Sequence, residues 1–257
     1  MNDGVQKKAV KPGARFFFPD TLGNGSEVRL PSGAAHHAAR VLRLTIGDPL
    51  VLFNGRGGEY QARIVRLDRG EVWVKTGGYT EPQRESPIES ILAQGVCSGD
   101  RMDLTLQKSV ELGVSGIQPL MTERSVVRLT AERAARRAEH WQNLVVSACE
   151  QCGRNTVPRV AALLKLEDWL ARLPVAAPRG ELRLLLSPTA EVSFKVLPKA
   201  PARVLLLVGP EGGLSGAEVA AALGRGFLPV RLGPRILRTE TAALAALAGI
   251  QALWGDF

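Results

Sequence analysis

Residues 204–254 read VLLLVGPEGGLSGAEVAAALGRGFLPVRLGPRILRTETAALAALAGIQALW. The run 204–208 is apolar, short and made of branched side chains, which predicts a strand buried on both faces of a sheet. It ends at GPEGG, whose glycines permit a tight turn and let a flat ligand approach the backbone closely. Ser215 and Glu218 have the spacing of a capping box, so a helix is predicted from about Gly216 to Leu223.

A second loop of the same kind follows further along this stretch. Residues 229–232 predict another short strand, which leads into GPRILRTET and a closing helix. The apolar side of that helix holds Leu244, Leu247, Ile250 and Trp254. Two glycine-containing loops at the carboxyl ends of apolar strands predict a ligand crevice at the edge of a parallel α/β sheet.

The ligand predicted for this crevice is a nucleoside without phosphates. GPEGG is not G-x-G-x-x-G, and no part of the chain matches G-x-x-x-x-G-K-[ST]. Glu211 also places a carboxylate where a pyrophosphate needs donors and positive charge. The alternative is that both loops are only tight turns, which glycine–proline pairs often form.

The composition indicates a basic protein of the cell interior. At 257 residues the chain can form one large or two modest domains, and its net charge of +8 points to a polyanionic partner. Aromatic residues make up only 5%, which favours electrostatic capture of structured RNA over stacking on single strands. No apolar run is long enough to cross a bilayer and residues 1–14 hold no apolar signal core, so we expect a cytoplasmic protein without a membrane segment.

The cysteines and the paired histidines do not predict a metal site. Cys149 and Cys152 have C-x-x-C spacing, but no second Cys/His pair follows at a distance suited to zinc. The pair also falls at the carboxyl end of a predicted helix, whereas a redox pair needs the amino end. His36 and His37 lack acidic or cysteine companions. We therefore expect ordinary reduced cysteines, including Cys97, and no bound metal.

The N-terminal part of the chain predicts a small β-barrel. Residues 15–18, 50–53, 59–67 and 71–75 read as strands separated by turn residues. One helix interrupts them: Ser32 can cap it, and 36–42 carries mixed apolar and basic residues. Residues 1–14 are polar and aperiodic, and we expect them to be disordered.

Beyond a Gly- and Pro-rich linker that begins near residue 77, strands alternate with helices. Segments 88–93, 117–120 and 182–186 read as strands, and 100–112 and 130–149 read as helices. The longer helix places apolar residues along one side, namely Ala134, Ala138, Trp141, Val145 and Ala148. This alternation predicts a parallel α/β sheet.

Six ordered blocks give a specific resemblance over nearly the whole chain. They are HAARVLR at 37–43, RESP at 84–87, QKSVELGV at 107–114, ACEQCGRN at 148–155, LLVGPEGGLS and LGPRILRTETA. The set resembles the SPOUT methyltransferases and, within them, the ribosomal RNA small subunit methyltransferase E family. The resemblance implies a PUA-like β-barrel RNA-binding domain at 15–80, a linker at 81–87 and a knotted α/β methyltransferase domain at 88–257. The second domain would contain a trefoil knot, which general topology rules would not predict.

The resemblance also implies the reaction and its ligands. The cofactor would be S-adenosyl-L-methionine, and the substrate N3 of a uridine in 16S ribosomal RNA of the small subunit. The protein would be a homodimer whose active sites are completed across the interface. The implied cofactor positions are Leu186, Ser187, Gly209, Pro210, Glu211, Gly212, Leu232, Gly233, Ile236, Leu237, Arg238, Thr241 and Ala242.

The chemistry of uracil methylation selects candidate catalytic residues within the matched blocks. The N3 proton must leave as the methyl group arrives, so a general base or a group that stabilises the imide anion is expected. Glu111, Glu150 and Glu211 are candidate bases, and Arg154 and Arg238 are candidate cations. The sequence does not choose among them, and Glu111 and Glu150 fit structural salt bridges equally well.

For RNA binding, the barrel domain offers Arg15, His37, Arg40 and Arg43, and Arg154 is a further candidate. His37, Arg40 and Arg43 recur every three residues, which predicts one shared helix face. Two other functions stay open at the level of sequence. One is a non-catalytic RNA-binding or ribosome-assembly protein on the same scaffold, and the other is a tRNA-directed SPOUT enzyme.

Overall fold

The structure, a computed structural model, describes residues 14–125, 130–197 and 200–257. The expected disorder of 1–14 falls outside these residues except at Ala14, which begins a strand. The described residues form two compact units, one with the chain up to Arg84 plus Glu150–Val157, the other with Glu85–Cys149 and Pro158–Phe257. The segment Glu150–Val157 thus packs with the first unit, although it follows residue 88 in sequence.

The first unit is built on a five-stranded mixed sheet in the order β1-β3-β4-β5-β2. Its strands are β1 (Ala14–Phe17), β2 (Glu27–Arg29), β3 (Pro49–Phe53), β4 (Glu59–Asp68) and β5 (Glu71–Thr80). β1 and β3 run parallel, and the remaining neighbours are antiparallel. The four predicted strands are confirmed, whereas β2 was not predicted because it has only three residues. The strand β5 also runs to Thr80, so the linker predicted from 77 begins inside the sheet.

The helix of the first unit is shorter and more irregular than the sequence indicated. α1 (Ser32–His36) begins after Pro31 and not after Ser32, so the prediction that Ser32 caps it is wrong. The chain continues as a π-helical turn, His37–Val41, in which the Leu42 N–H donates to the His37 carbonyl over 2.9 Å. Arg43 lies beyond this turn with a φ of 53°.

The second unit contains a seven-stranded sheet in which every described pair is parallel. Its strands are β6 (Glu89–Gly95), β7 (Gly116–Met121), β8 (Arg159–Val160), β9 (Leu164–Lys165), β10 (Glu181–Leu186), β11 (Arg203–Val208) and β12 (Leu228–Val230). The order is β12-β10-β11-β6-β7-β8, and β9 also pairs with β7. The predicted parallel α/β sheet is therefore confirmed.

Helices complete the second unit. They are α2 (Gly99–Glu111), α3 (Ala131–Cys152), α4 (Leu166–Arg172), α5 (Gly216–Leu223) and α6 (Thr239–Trp254). The end of α3, from Glu150, is counted with the first unit. The capping box predicted for α5 is present, because Ser215 accepts from the Glu218 N–H and Glu218 accepts in return. In α6, Leu247 and Ile250 are fully buried. Leu244 and Trp254 are only partly buried, because the buried face is completed by small and polar residues, Ala243, Ala246 and Gln251.

Candidate cofactor and RNA site

Three loops leave the same edge of the second unit's sheet and enclose one pocket. β10 ends at Leu186, and its parallel neighbours β11 and β12 end at Val208 and Val230. Because the strands are parallel and adjacent, their following loops lie side by side. The Ser187 N–H donates to the Val230 carbonyl over 3.0 Å, which ties the first loop to the third. The cavity between them measures about 690 Å³.

The GPEGG loop, residues 209–213, passes too close to its neighbours to carry side chains at every position. Gly213 has a φ of +68°, a conformation that residues with a Cβ resist. Below the loop, a Cβ on Gly95 would lie 2.6 Å from Cδ of Pro210. A Cβ on Gly212 would lie 3.1 Å from Cβ of Arg124. The glycines therefore let the loop pack between β6 and the turn after β7.

A buried polar network fixes the base of the same loop. The Thr239 hydroxyl at the start of α6 donates to the Gly209 carbonyl over 2.6 Å. The Gln94 side chain, fully buried at the end of β6, donates to the Thr239 hydroxyl over 3.0 Å. These contacts link β6, the loop after β11 and the first turn of α6 in a single site.

Glu211 is held as an anion on this loop. Its Oε1 accepts from the Ser98 N–H, the Ser98 hydroxyl and Arg101 Nη1 at 2.9, 2.8 and 2.9 Å. Partial burial by itself would raise the pKa of Glu211, but these hydrogen bonds lower that pKa to about 2. A carboxylate with so low a pKa is a weak proton acceptor at neutral pH, which disfavours Glu211 as a general base.

The structure brings almost all of the predicted cofactor positions into one pocket. Of the thirteen residues, Thr241 is the one that does not line the cavity. It is exposed on the first turn of α6. The lining positions are Leu186, Ser187, Gly209, Pro210, Glu211, Gly212, Leu232, Gly233, Ile236, Leu237, Arg238 and Ala242.

The pocket also contains charged residues that the sequence did not single out. Arg101, Arg124, Arg235 and Glu240 line it together with the predicted residues. Arg124 Nη1 donates to the Gly212 carbonyl over 3.2 Å. Arg101 and Arg124 lie 110 and 88 residues from their partners in the GPEGG loop, so sequence spacing gave no signal for them.

The three remaining catalytic candidates lie outside the set of lining residues. Glu111 pairs with Lys108 over 2.7 Å on the surface of α2, as a structural salt bridge does. Glu150 belongs to the first unit, where its Oε1 accepts from the Phe17 N–H over 2.9 Å. Burial raises the pKa of Glu150, which favours its protonated form. Arg154 also belongs to the first unit and is only 5% exposed.

The structure separates the RNA-binding candidates of the first unit into two groups. Arg15 is largely buried, with 12% of its side chain exposed, and donates to Glu59 over 2.5 Å and to Asn155 over 2.6 Å, so these hydrogen bonds hold its guanidinium within the first unit. His37, Arg40 and Arg43 are exposed. Their predicted common helix face is wrong, since the π-helical turn changes the angular spacing and Arg43 lies past its end.

The remaining features considered in the sequence are the cysteines, possible metal ligands and possible membrane helices. Cys97, Cys149 and Cys152 form no disulfide. Within the part of the chain that the structure describes, no three His, Cys, Asp or Glu residues are grouped to hold a metal ion. None of the described helices is both long and apolar enough to span a bilayer.

Comparisons with known proteins agree with this geometry. A family model for the RNA methyltransferase domain matches residues 84–251, and a model for the RNA methyltransferase PUA domain matches 30–76. Ribosomal RNA small subunit methyltransferase E of Buchnera aphidicola is 33% identical over 229 residues, 89% of this chain and 92% of the relative. The namesake from Bacillus subtilis is 34% identical over 225 residues, 84% of this chain and 86% of the relative.

Two solved structures are similar over nearly their whole length. Ribosomal RNA small subunit methyltransferase E from Neisseria gonorrhoeae, bound to S-adenosyl methionine, has a TM-score of 0.87 and 41% identity. A protein from Legionella pneumophila, solved with bound S-adenosyl methionine, has a TM-score of 0.90 and 40% identity. In each case the match covers 95% of this chain and 99% of the other.

Fold and site together define an RNA methyltransferase of the SPOUT class, with a C-terminal α/β trefoil-knot domain and an N-terminal PUA-like domain. Within that class, the chain belongs to the ribosomal RNA small subunit methyltransferase E family. This confirms the prediction of an enzyme rather than a non-catalytic scaffold. It also confirms ribosomal RNA rather than tRNA as the class of substrate.

Proposed function

We propose that this protein transfers the methyl group of S-adenosyl-L-methionine to N3 of a uridine in 16S ribosomal RNA. The observation that carries the proposal is the convergence of three strand-end loops on one pocket lined by the residues that the sequence assigned to the cofactor. We place the reaction in the cytoplasm, where small ribosomal subunits are assembled.

The pocket suits this cofactor in size, shape and charge. A cavity of about 690 Å³ lies within the range that encloses a ligand of drug size. Glycine backbone in the 209–213 loop permits close contact with the flat adenine, and Leu186 and Leu237 offer apolar surface. Carboxylates (Glu211, Glu240) and arginines share the walls, which suits a ligand with both positive and negative groups.

The bound cofactor would supply an electrophilic methyl group on a sulfonium, and the residues of this chain would align the uracil with it and exclude water. The N3 proton passes to solvent water before the uracil closes the pocket, and the imide anion that remains needs a nearby positive charge. Arg238 lines the pocket immediately before α6 and is exposed, so we assign anion stabilisation to it. Glu211 is left with a structural role, because its low pKa makes it a poor base.

Arg238 can be tested separately from cofactor binding. Arg238→Ala should lower kcat by about tenfold to a hundredfold, within the range for loss of one charge-stabilising donor. Arg238→Lys keeps a cation and should recover part of the rate. If Arg238→Ala leaves kcat unchanged, then anion stabilisation belongs to another residue.

The first unit would capture the RNA. His37, Arg40 and Arg43 lie exposed on and after the π-helical turn, and the two arginine charges can contact phosphates without reading bases. The target uridine must be unpaired or flipped to present N3 to a pocket.

We further propose that the protein works as a homodimer. Apolar side chains stand exposed on the second unit, with Ile236 beside the pocket at 85% exposure and Phe257 at 67%. Exposed apolar residues next to a binding site favour coverage by another chain. Light scattering of the purified protein should give about twice the chain mass, and the mass of a single chain would contradict the dimer.

The proposed modification can be mapped directly. Small-subunit RNA from cells with and without this gene should differ by the loss of one N3-methyluridine in 16S RNA. Methylation lost from another atom, or from tRNA, would overturn the assignment.

A further inference from the structure

The GPEGG loop is attached to a distant helix through a single carboxylate oxygen. Oε1 of Glu211 receives three hydrogen bonds, two from Ser98 and one from Arg101, all between 2.8 and 2.9 Å. Ser98 is the residue before α2, and Arg101 lies in its first turn. The contact therefore joins the loop after β11 to the amino terminus of α2, 110 to 113 residues earlier in the chain.

This attachment compensates for the flexibility of the loop. Residues 209–213 include three glycines, which lose more conformational freedom on ordering than any other residue type. A loop that is already fixed before the ligand arrives binds that ligand more tightly, because the ordering cost does not oppose binding. The three donors give the Glu211 carboxylate one defined place, and the positive end of α2 favours the anion there.

We infer that Ser98 and Arg101 are positioning residues that hold the GPEGG loop in its cofactor-binding conformation through Glu211. The inference rests on the proposed function, since it concerns the same pocket. Arg101 also lines the cavity, so the competing possibility is that its guanidinium contacts the ligand itself. If Arg101 only positions the loop, the effects of changing Arg101 and Glu211 on cofactor affinity depend on each other. If Arg101 contacts the ligand, the two effects are independent.

A double-mutant cycle read by calorimetry with S-adenosyl-L-methionine distinguishes the two roles. Arg101→Gln should weaken binding by about tenfold, as expected for loss of one charge-assisted hydrogen bond, and Glu211→Gln, which weakens all three bonds to the carboxylate, should weaken binding by at least as much. The double variant should be no weaker than the more affected single variant, because both changes break the same contact. Multiplied effects, about a hundredfold in the double variant, would overturn the inference and assign Arg101 to the ligand.

Two further measurements separate positioning from general damage. Ser98→Ala should raise KM for the cofactor severalfold while kcat at saturating cofactor stays within about twofold, and Arg101→Lys should restore most of the affinity lost in Arg101→Gln. An unchanged KM with a reduced kcat would contradict positioning. As a matched control, Arg172→Gln removes an exposed arginine from α4 and should leave affinity unchanged.

Failure of the inference is distinguishable from failure of the proposed function. If the unaltered protein binds no S-adenosyl-L-methionine, the proposed function fails and the inference falls with it. If the unaltered protein binds the cofactor and Ser98→Ala, Arg101→Gln and Glu211→Gln bind it equally well, the inference alone is wrong.

Discussion

The two units of this protein each hold a glutamate in contact with arginine, and the two pairs differ in burial. Glu59 in the first unit is 6% exposed and accepts from Arg15 over 2.5 Å and from Arg84 over 2.8 Å. Glu211 in the second unit lies on an exposed loop and pairs with Arg101 over 2.9 Å. Similar chemistry therefore occurs once inside a fold and once at the rim of a pocket.

Burial decides what each pair does. A charge taken out of water must be fully paired, and removal of one partner leaves the other charge stranded. The Glu59 network, which also includes a 3.2 Å hydrogen bond from Asn155, therefore helps to hold residues 150–157 on the five-stranded sheet of the first unit. A pair at the surface contributes little to stability, so the Glu211 contact can organise a loop without being needed for folding.

The largest expected effect of this difference is on stability. Glu59→Ala should lower the free energy of unfolding by about 3–5 kcal/mol, because it leaves the largely buried guanidinium of Arg15 without its carboxylate partner. Urea denaturation measures the loss. The matched control is Glu71→Ala, which removes the solvent-screened partner of Arg29 in the same unit and should cost much less stability. Equal losses would show that burial does not distinguish the two pairs.

Acid should act on the same buried pair. Burial alone would raise the pKa of Glu59, but hydrogen bonds from Arg15, Arg84 and Asn155 hold that pKa below its ordinary value of 4.5. The folded state therefore binds the proton less readily than the unfolded state, and stability present above pH 4.5 is lost as the pH falls through the lower, folded pKa.

Hydrogen exchange of β3 and β4 amides should report this loss of stability. Protection should drop on acidification in the unaltered protein and drop less steeply in Glu59→Gln, which has no carboxylate to protonate. Identical pH profiles in the two proteins would exclude Glu59 as the source.

A smaller effect on stability is expected at the amino-terminal ends of α1 and α5, for both of which the sequence predicts a serine cap. Ser215→Ala removes the hydroxyl that accepts from the Glu218 N–H and should cost about 1 kcal/mol of stability. Ser32→Ala should cost close to nothing, because Pro31 occupies the N-cap and no side chain caps α1. Thermal unfolding of both variants tests the pair, and a loss at Ser32 equal to that at Ser215 would contradict the structure.

The smallest expected effect is on RNA binding, through the loss of a single phosphate contact. Arg40→Ala should lower the slope of log affinity for 16S RNA against log salt by about 1, while cofactor affinity stays intact. Arg172→Ala, on the second unit, is the control and should leave the slope unchanged. An unchanged slope for Arg40→Ala would remove Arg40 from the RNA surface.

The predictability of the two units from sequence follows from how local their signals are. The cofactor loops could be predicted because strand, glycine turn and capping box lie within forty residues of each other, as at Ser215 and Glu218. The side chains that contact those loops could not be predicted, since Arg101 and Arg124 are distant in sequence and come close to the loops only in the folded protein. Arg15 was assigned to RNA because sequence shows charge but not burial, and only the structure shows Glu59 beside it. The prediction that His37, Arg40 and Arg43 share one helix face is wrong, because it assumes an α-helical period across a π-helical turn.

The central claim is that the loops after β10, β11 and β12 enclose the methyl donor. A crystal structure of the protein with S-adenosylhomocysteine, the product left after methyl transfer, tests it most directly. The account predicts clear density for the nucleoside between the GPEGG loop and residues 232–238, with Glu211 still bound to Ser98 and Arg101. Density for the nucleoside at any other place on the chain, with these loops empty, would contradict it.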